Sequence, residues 1–294
     1  MDVHPPHTHP DPWTCRLEDD VLVGRGVLDA KGQIAALITA LEAEPDAPAV
    51  VVLTCDEESG GLGSQRLDLP DIDRSAGGVV LEPTGFVVCG AQSGCIDLAV
   101  HVRGPGGHAH AAAATPSALD ALHGALEALE TCSFLDARHD LFPPPRLHVG
   151  RLQAGEHLWR RPAGALAEVA LTLLPGVDAE AAASEVAELG SALRTAWQAA
   201  GFDVRLEVAD TSAPVEVPSD LPVARRLLAA LGDTASLGAM TSWTDAENLL
   251  RHQDLACVVF GAGDLASAHS DRESVHLGEL VRLAEVLARF LTRR

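Results

Sequence analysis

The chain has 294 residues, of which 47% are hydrophobic, and this is enough to bury cores in one large or two ordinary domains. Its 42 acidic and 21 basic residues give a formal net charge of −21, which argues against nucleic acid or anionic membrane as a partner and favours cations. No apolar run approaches a membrane span of roughly 18 residues, the N-terminus lacks the pattern of a signal peptide, and six cysteines without framework spacing are typical of a reduced, cytoplasmic protein.

The chain opens with a segment rich in proline and histidine, MDVHPPHTHPDPWTC. Its four prolines predict an irregular loop. We therefore interpret His4, His7 and His9 as solvated loop residues rather than metal ligands.

A short strand at residues 21–23 and a glycine-rich turn then lead to a predicted helix at about residues 30–43. Asp29 stands at the start of this helix. It is either the N-cap, which the helix dipole favours, or a functional acid, because an N-cap alone does not call for the flexible glycines before it. Apolar side chains at helical spacing predict the buried face of the helix: Ile34, Leu37, Ile38 and Leu41.

Two apolar runs end abruptly in carboxylates. Residues 50–55 predict a strand buried on both faces of a parallel sheet, and Asp56, Glu57 and Glu58 follow it. Residues 77–81 predict a second strand, which ends at Glu82. Consecutive acids at a buried strand end need protons or cations, although a solvated acidic turn is the alternative for an isolated DEE. Because the ends of parallel strands meet at one edge, the sequence predicts a carboxylate-rich metal site there.

From about residue 91 the pattern changes to that of a smaller α+β domain. The predicted order is strand (96–102), helix (118–129), strands (146–152 and 165–174), helix (179–200) and strand (204–208), which is a split βαβ pattern. The last segment returns to α/β character with a helix at 221–231, a helix start within MTSWTDAENLL, a strand at 255–260 and a helix at 277–291. His269 lies in the loop after the last strand, before Asp271 and Glu273, and is either simply exposed or a ligand.

These segments together resemble the dinuclear zinc amidohydrolase family, which includes acetylornithine deacetylase, succinyl-diaminopimelate desuccinylase, aminoacylase and carboxypeptidase G. The resemblance spans the whole chain in order and is closest to the acetylornithine and acetylcitrulline deacetylase branch. It implies an α/β fold with a mostly parallel-sheet catalytic domain (1–92 and 213–294) and an inserted α+β lid or dimerisation domain (93–212). The matching segments are MDV with PDPW, GRGVLDAKG, CDEESGGLGS with LEPT, GPGGHAH, and GAGDLASAHSDRES.

The resemblance also implies residue roles around two divalent metal ions, zinc or cobalt. Asp29 bridges the metals, Glu58 and Glu82 each bind one of them, and His269 is a terminal ligand. Glu57 is the general base that takes a proton from water. His108 is the lid histidine that reaches the partner's site in dimeric relatives, which implies a homodimer. Asp2 is the acid of the family's H-x-D motif, which orients the preceding histidine.

The match has three departures. The H-x-D histidine would lie one residue before Met1. The resemblance therefore implies that the N-terminal part of the catalytic domain is missing, and we expect either a truncated chain or a short paralogue with an incomplete site. In that form we expect weakened metal binding at one site, little activity and an exposed sheet edge. Thr172 replaces a substrate-binding Arg and Trp159 replaces an Asn, which leaves Arg160 and Arg161 as substitute contacts for a substrate carboxylate.

The predicted function is metal-dependent hydrolysis of the amide bond in an N-acyl amino acid, as in arginine or lysine biosynthesis. A non-catalytic paralogue kept for binding or oligomerisation is one alternative. Within enzymes, a desuccinylase or a dipeptidase or carboxypeptidase is another. The acyl group, the amine and the metal stay open, because zinc, cobalt and manganese share ligand preferences.

Overall fold

The computed structural model describes residues 2–6, 8, 11–111, 115–232 and 235–292, so His7 and His9 lie outside the described residues. The strands are β1 Arg16–Glu18, β2 Val21–Val23, β3 Gly78–Leu81, β4 Val88–Gln92, β5 Gly94–Arg103, β6 Gly107–His108, β7 Leu147–Ala154, β8 Arg160–Arg161, β9 Gly164–Leu173, β10 Asp203–Ser212, β11 Val215–Glu216, β12 Leu237–Met240, β13 Cys257–Phe260 and β14 Ser274–His276. The α-helices are α1 Lys31–Ala43, α2 Leu62–Gln65, α3 Ala118–Leu129, α4 Ala179–Gln198, α5 Pro222–Leu231, α6 Ala246–Gln253 and α7 Leu277–Thr292.

The chain divides into two compact units, Met1–Gln92 with Val215–Arg294, and Ser93–Pro214. The first unit contains a sheet in the order β11-β4-β13-β3, with β12 also paired to β4. Its centre is β13, in which all four side chains are buried, as expected for an apolar strand with neighbours on both sides. The α/β fold class is confirmed, but the sheet is mixed rather than mostly parallel. The β13–β3 and β12–β4 pairs are parallel, whereas the β11–β4 and β13–β4 pairs are antiparallel.

The prediction of a strand at residues 50–55 is wrong, because residues 50–54 form no strand. This segment lies outside every sheet of the described residues, and Val50 and Leu53 are 53% and 61% exposed. A strand is held by hydrogen bonds to a neighbouring strand. Here a cavity of about 850 Å³ lies between this segment and β3, and both line it. The apolar run therefore stays unpaired. Of the two strands that were predicted to end in carboxylates, only β3 belongs to a sheet.

Helix α1 forms as predicted, but its buried face differs from the predicted one. The buried residues are small or polar: Gly32, Gln33, Ala36 and Ala40. The helix packs against α7, and a Cβ on Gly32 would meet the Leu280 side chain at 3.2 Å. Small side chains on the buried face let the two helices approach closely. Ile38, which was predicted to be on that face, is instead 51% exposed.

The second unit follows the split βαβ pattern that the sequence predicted. Its antiparallel sheet has the order β10-β5-β9-β7, and its apolar core includes buried side chains from the sheet and from α3 and α4. Helix α3 begins at a capping box, in which Ser117 and Asp120 accept from each other's backbone N–H groups. Among the described residues, no helix combines the length and apolar character needed to cross a membrane.

Candidate metal centre

Three predicted site residues from distant parts of the chain meet in the first unit. The Nε2 atom of His269 lies 3.2 Å from Oδ2 of Asp29 and 3.2 Å from Oε2 of Glu58. The two carboxylates are 15% and 10% exposed, whereas His269 is 46% exposed. Nitrogen and carboxylate oxygens gathered at one point are the ligand types that zinc uses in proteins.

Asp29 reaches this point from the turn that follows β2. It precedes α1 but does not cap it, because the N-cap position is Ala30 and no side chain accepts a capping hydrogen bond there. The N-cap interpretation is therefore wrong, and the carboxylate is directed to His269 instead. Its backbone N–H donates to the buried carboxylate of Glu273 at 3.1 Å.

Glu57 and Glu58 lie in a short 3₁₀ turn, Glu57–Ser59, between two left-handed residues, Asp56 and Gly60. The chain then folds back on itself so closely that a Cβ on Gly63 would lie 2.4 Å from the Cys55 carbonyl oxygen. Glycine is therefore required at position 63 for this loop to close. The backbone N–H of Glu58 donates to Oδ2 of Asp2 at 3.2 Å, so Asp2 contacts the loop that carries the ligand.

Glu57 and Glu82 hold protons more tightly than ordinary carboxyl groups. Burial, followed by the charges of Asp245 and Asp29, raises the pKa of Glu57 to about 8. Burial and the charge of Asp29 raise the pKa of Glu82, at the end of β3, well above its ordinary value. Carboxylates this close cannot all ionise without a compensating cation.

His269 supplies positive charge within this cluster. Its hydrogen bonds to Asp29 and Glu58 raise the pKa of the imidazole to about 10, against the opposing effect of burial. The imidazolium therefore lies between two carboxylates, where a divalent cation would satisfy the same charges. The donor set fits such a cation by both its chemistry and its unbalanced negative charge.

The cavity beside β3 gives this cluster access to a larger volume. Its acidic lining comprises Asp2, Asp29, Glu57, Glu58, Asp73, Glu82 and Asp245. Most of its remaining wall is apolar and includes residues 50–53 and the β3 residues Val79, Val80 and Leu81. A site with convergent polar groups at one end and apolar walls is typical of a small-molecule pocket.

Three predicted site residues lie in the second unit. His108 is exposed on β6, and its Nδ1 accepts a hydrogen bond from the backbone N–H of His110 at 3.2 Å. Arg160 forms an exposed ion pair with Glu156 at 2.8 Å. Arg161 donates to the carbonyl oxygens of Thr115 and Gly106. Each guanidinium therefore already has a partner within its own unit.

Two residues of the cluster, Asp245 and His4, were not predicted to belong to it. Asp245 is buried and accepts hydrogen bonds from Thr54 at 2.7 Å and Ser64 at 2.5 Å, which lie on either side of the acidic turn. Its only sequence signal is its place before α6, which is equally typical of an N-cap. His4, interpreted as a solvated loop residue, is half-buried and stacks on His269 with ring centroids 4.0 Å apart.

His4, Glu58 and His269 also form a group that could hold one metal ion, since one ligand atom from each lies within 4.8 Å of the others. The Nδ1 of His4 is 3.2 Å from the carbonyl oxygen of Pro5. A carbonyl oxygen only accepts, so Nδ1 is the donor in this contact, and in the neutral imidazole Nε2 is then the nitrogen with the lone pair. Imidazole ligands in metal sites are commonly held by such a bond.

Comparisons with known proteins identify the family and the fold that this chain resembles. The family described as "Peptidase family M20/M25/M40" matches residues 1–293. Acetylornithine deacetylase of Myxococcus xanthus is 33% identical over 293 residues, which cover 94% of this chain and 74% of that protein. A probable carboxypeptidase of Emericella nidulans is 24% identical, over 93% of this chain and 68% of its own length. The M20 family metallo-carboxypeptidase Sso-CP2 of Sulfolobus solfataricus has a similar fold, with a TM-score of 0.76 at 14% identity, covering 99% of this chain and 82% of that one.

Proposed function

Because the chain belongs to peptidase family M20/M25/M40, whose metallopeptidases depend on metal ions, typically zinc, we propose that it hydrolyses the amide bond of an N-acyl amino acid. The observation that carries the proposal is the meeting of Asp29, Glu58 and His269, with both carboxylates 3.2 Å from one imidazole nitrogen. These residues are far apart along the chain. A solvated acidic turn gives no reason for these three residues to meet beside a pocket.

The proposed centre holds two divalent metal ions. Asp29 would be the shared ligand, Glu58 and Glu82 would each bind one ion, and His269 would be a terminal ligand. When bound, such ions polarise an amide carbonyl and make water a stronger acid. His269 would bind such an ion as the neutral imidazole, so the ion would compete with the proton that Asp29 and Glu58 hold on it.

Glu57 is the proposed general base. It lines the pocket beside the ligands. Divalent cations bound there would oppose the burial and the carboxylate charges that raise its pKa in the metal-free protein, and so would favour the ionised form that accepts a proton. It would take a proton from the attacking water and deliver it to the leaving amine. Asp245 would support this role, because its charge contributes to the raised pKa of Glu57.

Deacylation is favoured over peptide hydrolysis by the deacetylase of Myxococcus xanthus, which is 33% identical, against 24% for the carboxypeptidase of Emericella nidulans. A dipeptide or a C-terminal peptide is the second candidate substrate, because those relatives also match over most of this chain. Both substrates present a carbonyl next to a nitrogen and a free carboxylate. We assign no side chain to that carboxylate, since Arg160 and Arg161 already have partners.

A homodimer through the second unit is part of the proposal. Strand β7 is an edge of the four-stranded sheet, and its side chains from His148 to Ala154 are exposed, including Val149 and Leu152. An exposed edge strand offers backbone groups for pairing with another copy. Light scattering at increasing protein concentration tests this part separately from catalysis.

The activity test compares the wild-type chain with Glu57→Gln after loading with zinc or cobalt. Substrates are N-acetyl-ornithine, N-acetyl-citrulline, N-succinyl-diaminopimelate and a set of dipeptides. We expect amine release from an N-acyl amino acid by the wild type, and at least a hundredfold lower turnover in Glu57→Gln, in line with the roughly 10²–10⁴-fold contribution of general bases. Glu188→Gln, an exposed change on α4, is the matched control. Metal bound without any turnover would favour the non-catalytic alternative.

A further inference from the structure

An ion pair lies entirely inside the first unit, next to the proposed metal ligands. Nη1 of Arg25 is 2.7 Å from Oε2 of Glu273, and both side chains are only 1% exposed. The register of β2 and β14 brings the two residues together. Ser274 lies opposite Val23 in this antiparallel pair, so Glu273, just before β14, and Arg25, just after β2, lie at the same end of it.

Both members of this pair contact the backbone of a residue proposed to bind metal. Oε1 of Glu273 accepts the backbone N–H groups of Leu28 at 3.0 Å and Asp29 at 3.1 Å. Nη2 of Arg25 lies 3.5 Å from the carbonyl oxygen of His269. The pair thus links the turn that carries Asp29 to the loop that carries His269.

Stability alone does not explain why charges are kept in this position. Removing two charges from water carries a large desolvation penalty, and replacing a buried ion pair by apolar side chains is often neutral or stabilising. A role in geometry is a better account, because residues behind metal ligands fix their orientation.

We propose that the Arg25–Glu273 pair is a positioning element that sets the separation of Asp29 and His269 for metal binding. The proposal rests on the metal centre of the proposed function. Neither side chain is assigned a contact with substrate. Glu273 acts through the backbone of Asp29, and Arg25 acts through Glu273 and the backbone of His269.

The test uses the double variant Arg25→Met with Glu273→Gln. It leaves no unpaired buried charge, and the glutamine oxygen can still accept the Leu28 and Asp29 N–H groups. The matched control, Arg151→Met with Glu168→Gln, removes a half-exposed ion pair of 3.0 Å in the second unit. Zinc affinity is measured by competition with a chromophoric chelator, beside the melting temperature of the metal-free proteins and the kcat and KM of the loaded ones.

We expect zinc affinity about 10–100-fold below that of the control, the range found for residues behind metal ligands. The metal-free melting temperature should stay near the control's, and kcat should fall more than KM rises. Zinc affinity within about twofold of the control, or failure of the double variant to fold, would overturn the proposal by assigning the pair to stability. A wild-type chain that binds no zinc would instead overturn the proposed function, and with it the premise of the pair's role.

Discussion

The raised pKa of Glu57 predicts how the stability of the metal-free protein depends on pH. In the folded state Glu57 keeps its proton up to a pH of about 8, whereas its ordinary value is 4.5. Between these values the folded state binds more protons than the unfolded state, so the free energy of unfolding falls as the pH rises. Replacing Glu57 by Gln removes this titration.

The size of the effect follows from one retained proton. Each such proton changes the free energy of unfolding by at most about 1.4 kcal/mol per pH unit. Glu57 is only partly buried, so solvent reduces the effect, and we expect a slope shallower by roughly 1 kcal/mol per pH unit in Glu57→Gln. His269 acts with the same sign, because its raised pKa gives stability that is complete below 6.5 and is lost as the pH rises through about 10. Its contribution is common to both proteins and cancels.

The assay is urea unfolding of chelator-treated protein at several pH values between about 5 and 8, with Glu188→Gln as control. The wild type and the control should lose stability in parallel as the pH rises, and Glu57→Gln should lose less. Equal slopes for all three proteins would refute the reasoning, because Glu57 would then titrate alike in the folded and unfolded states. Saturating zinc should raise the stability of the wild type at each pH, by about 2.7 kcal/mol at a hundred times its dissociation constant.

Two further predictions concern the loops around the site. Gly63→Ala places a Cβ 2.4 Å from the Cys55 carbonyl oxygen, so the acidic turn must shift and zinc affinity should fall; Gly278→Ala, where a Cβ meets nothing within 4 Å, should leave it unchanged. Equal zinc affinities for the two glycine variants would show that the turn tolerates the shift. His4→Ala should lower zinc affinity about tenfold or more if its imidazole joins Glu58 and His269, whereas His157→Ala, an exposed histidine in the second unit, should not. If neither histidine variant loses zinc affinity, His4 is a loop residue and not a metal ligand.

The sequence predicted most of the fold because apolar periodicity depends on local pattern. The helix and strand order of the second unit follows from alternation along β5 and β9 and from the Ala- and Glu-rich spacing of α4. The strand at residues 50–55 failed for a non-local reason. An apolar run becomes a strand only beside a partner, and a single sequence does not say which segments lie beside it.

The carboxylate cluster was predictable in type but not in its contacts. Acids after apolar runs marked Glu57, Glu58 and Glu82, and the turn before α1 marked Asp29. Residues that only the fold brings to the site have no such signal in the sequence. Glu273 and Asp245 look like ordinary loop acids until the fold brings Glu273 to the backbone of Asp29 and Asp245 to Thr54.

We propose that carboxylates and an imidazole from separate segments hold divalent metal at one point. Equilibrium dialysis against zinc, with elemental analysis, measures this directly for the wild type and Asp29→Asn, with Asp19→Asn as an exposed control. We expect the wild type and the control to retain zinc, and Asp29→Asn to lose most of it while staying folded by circular dichroism. Equal zinc content in all three proteins, or none in the wild type, would show that these residues do not form a metal site.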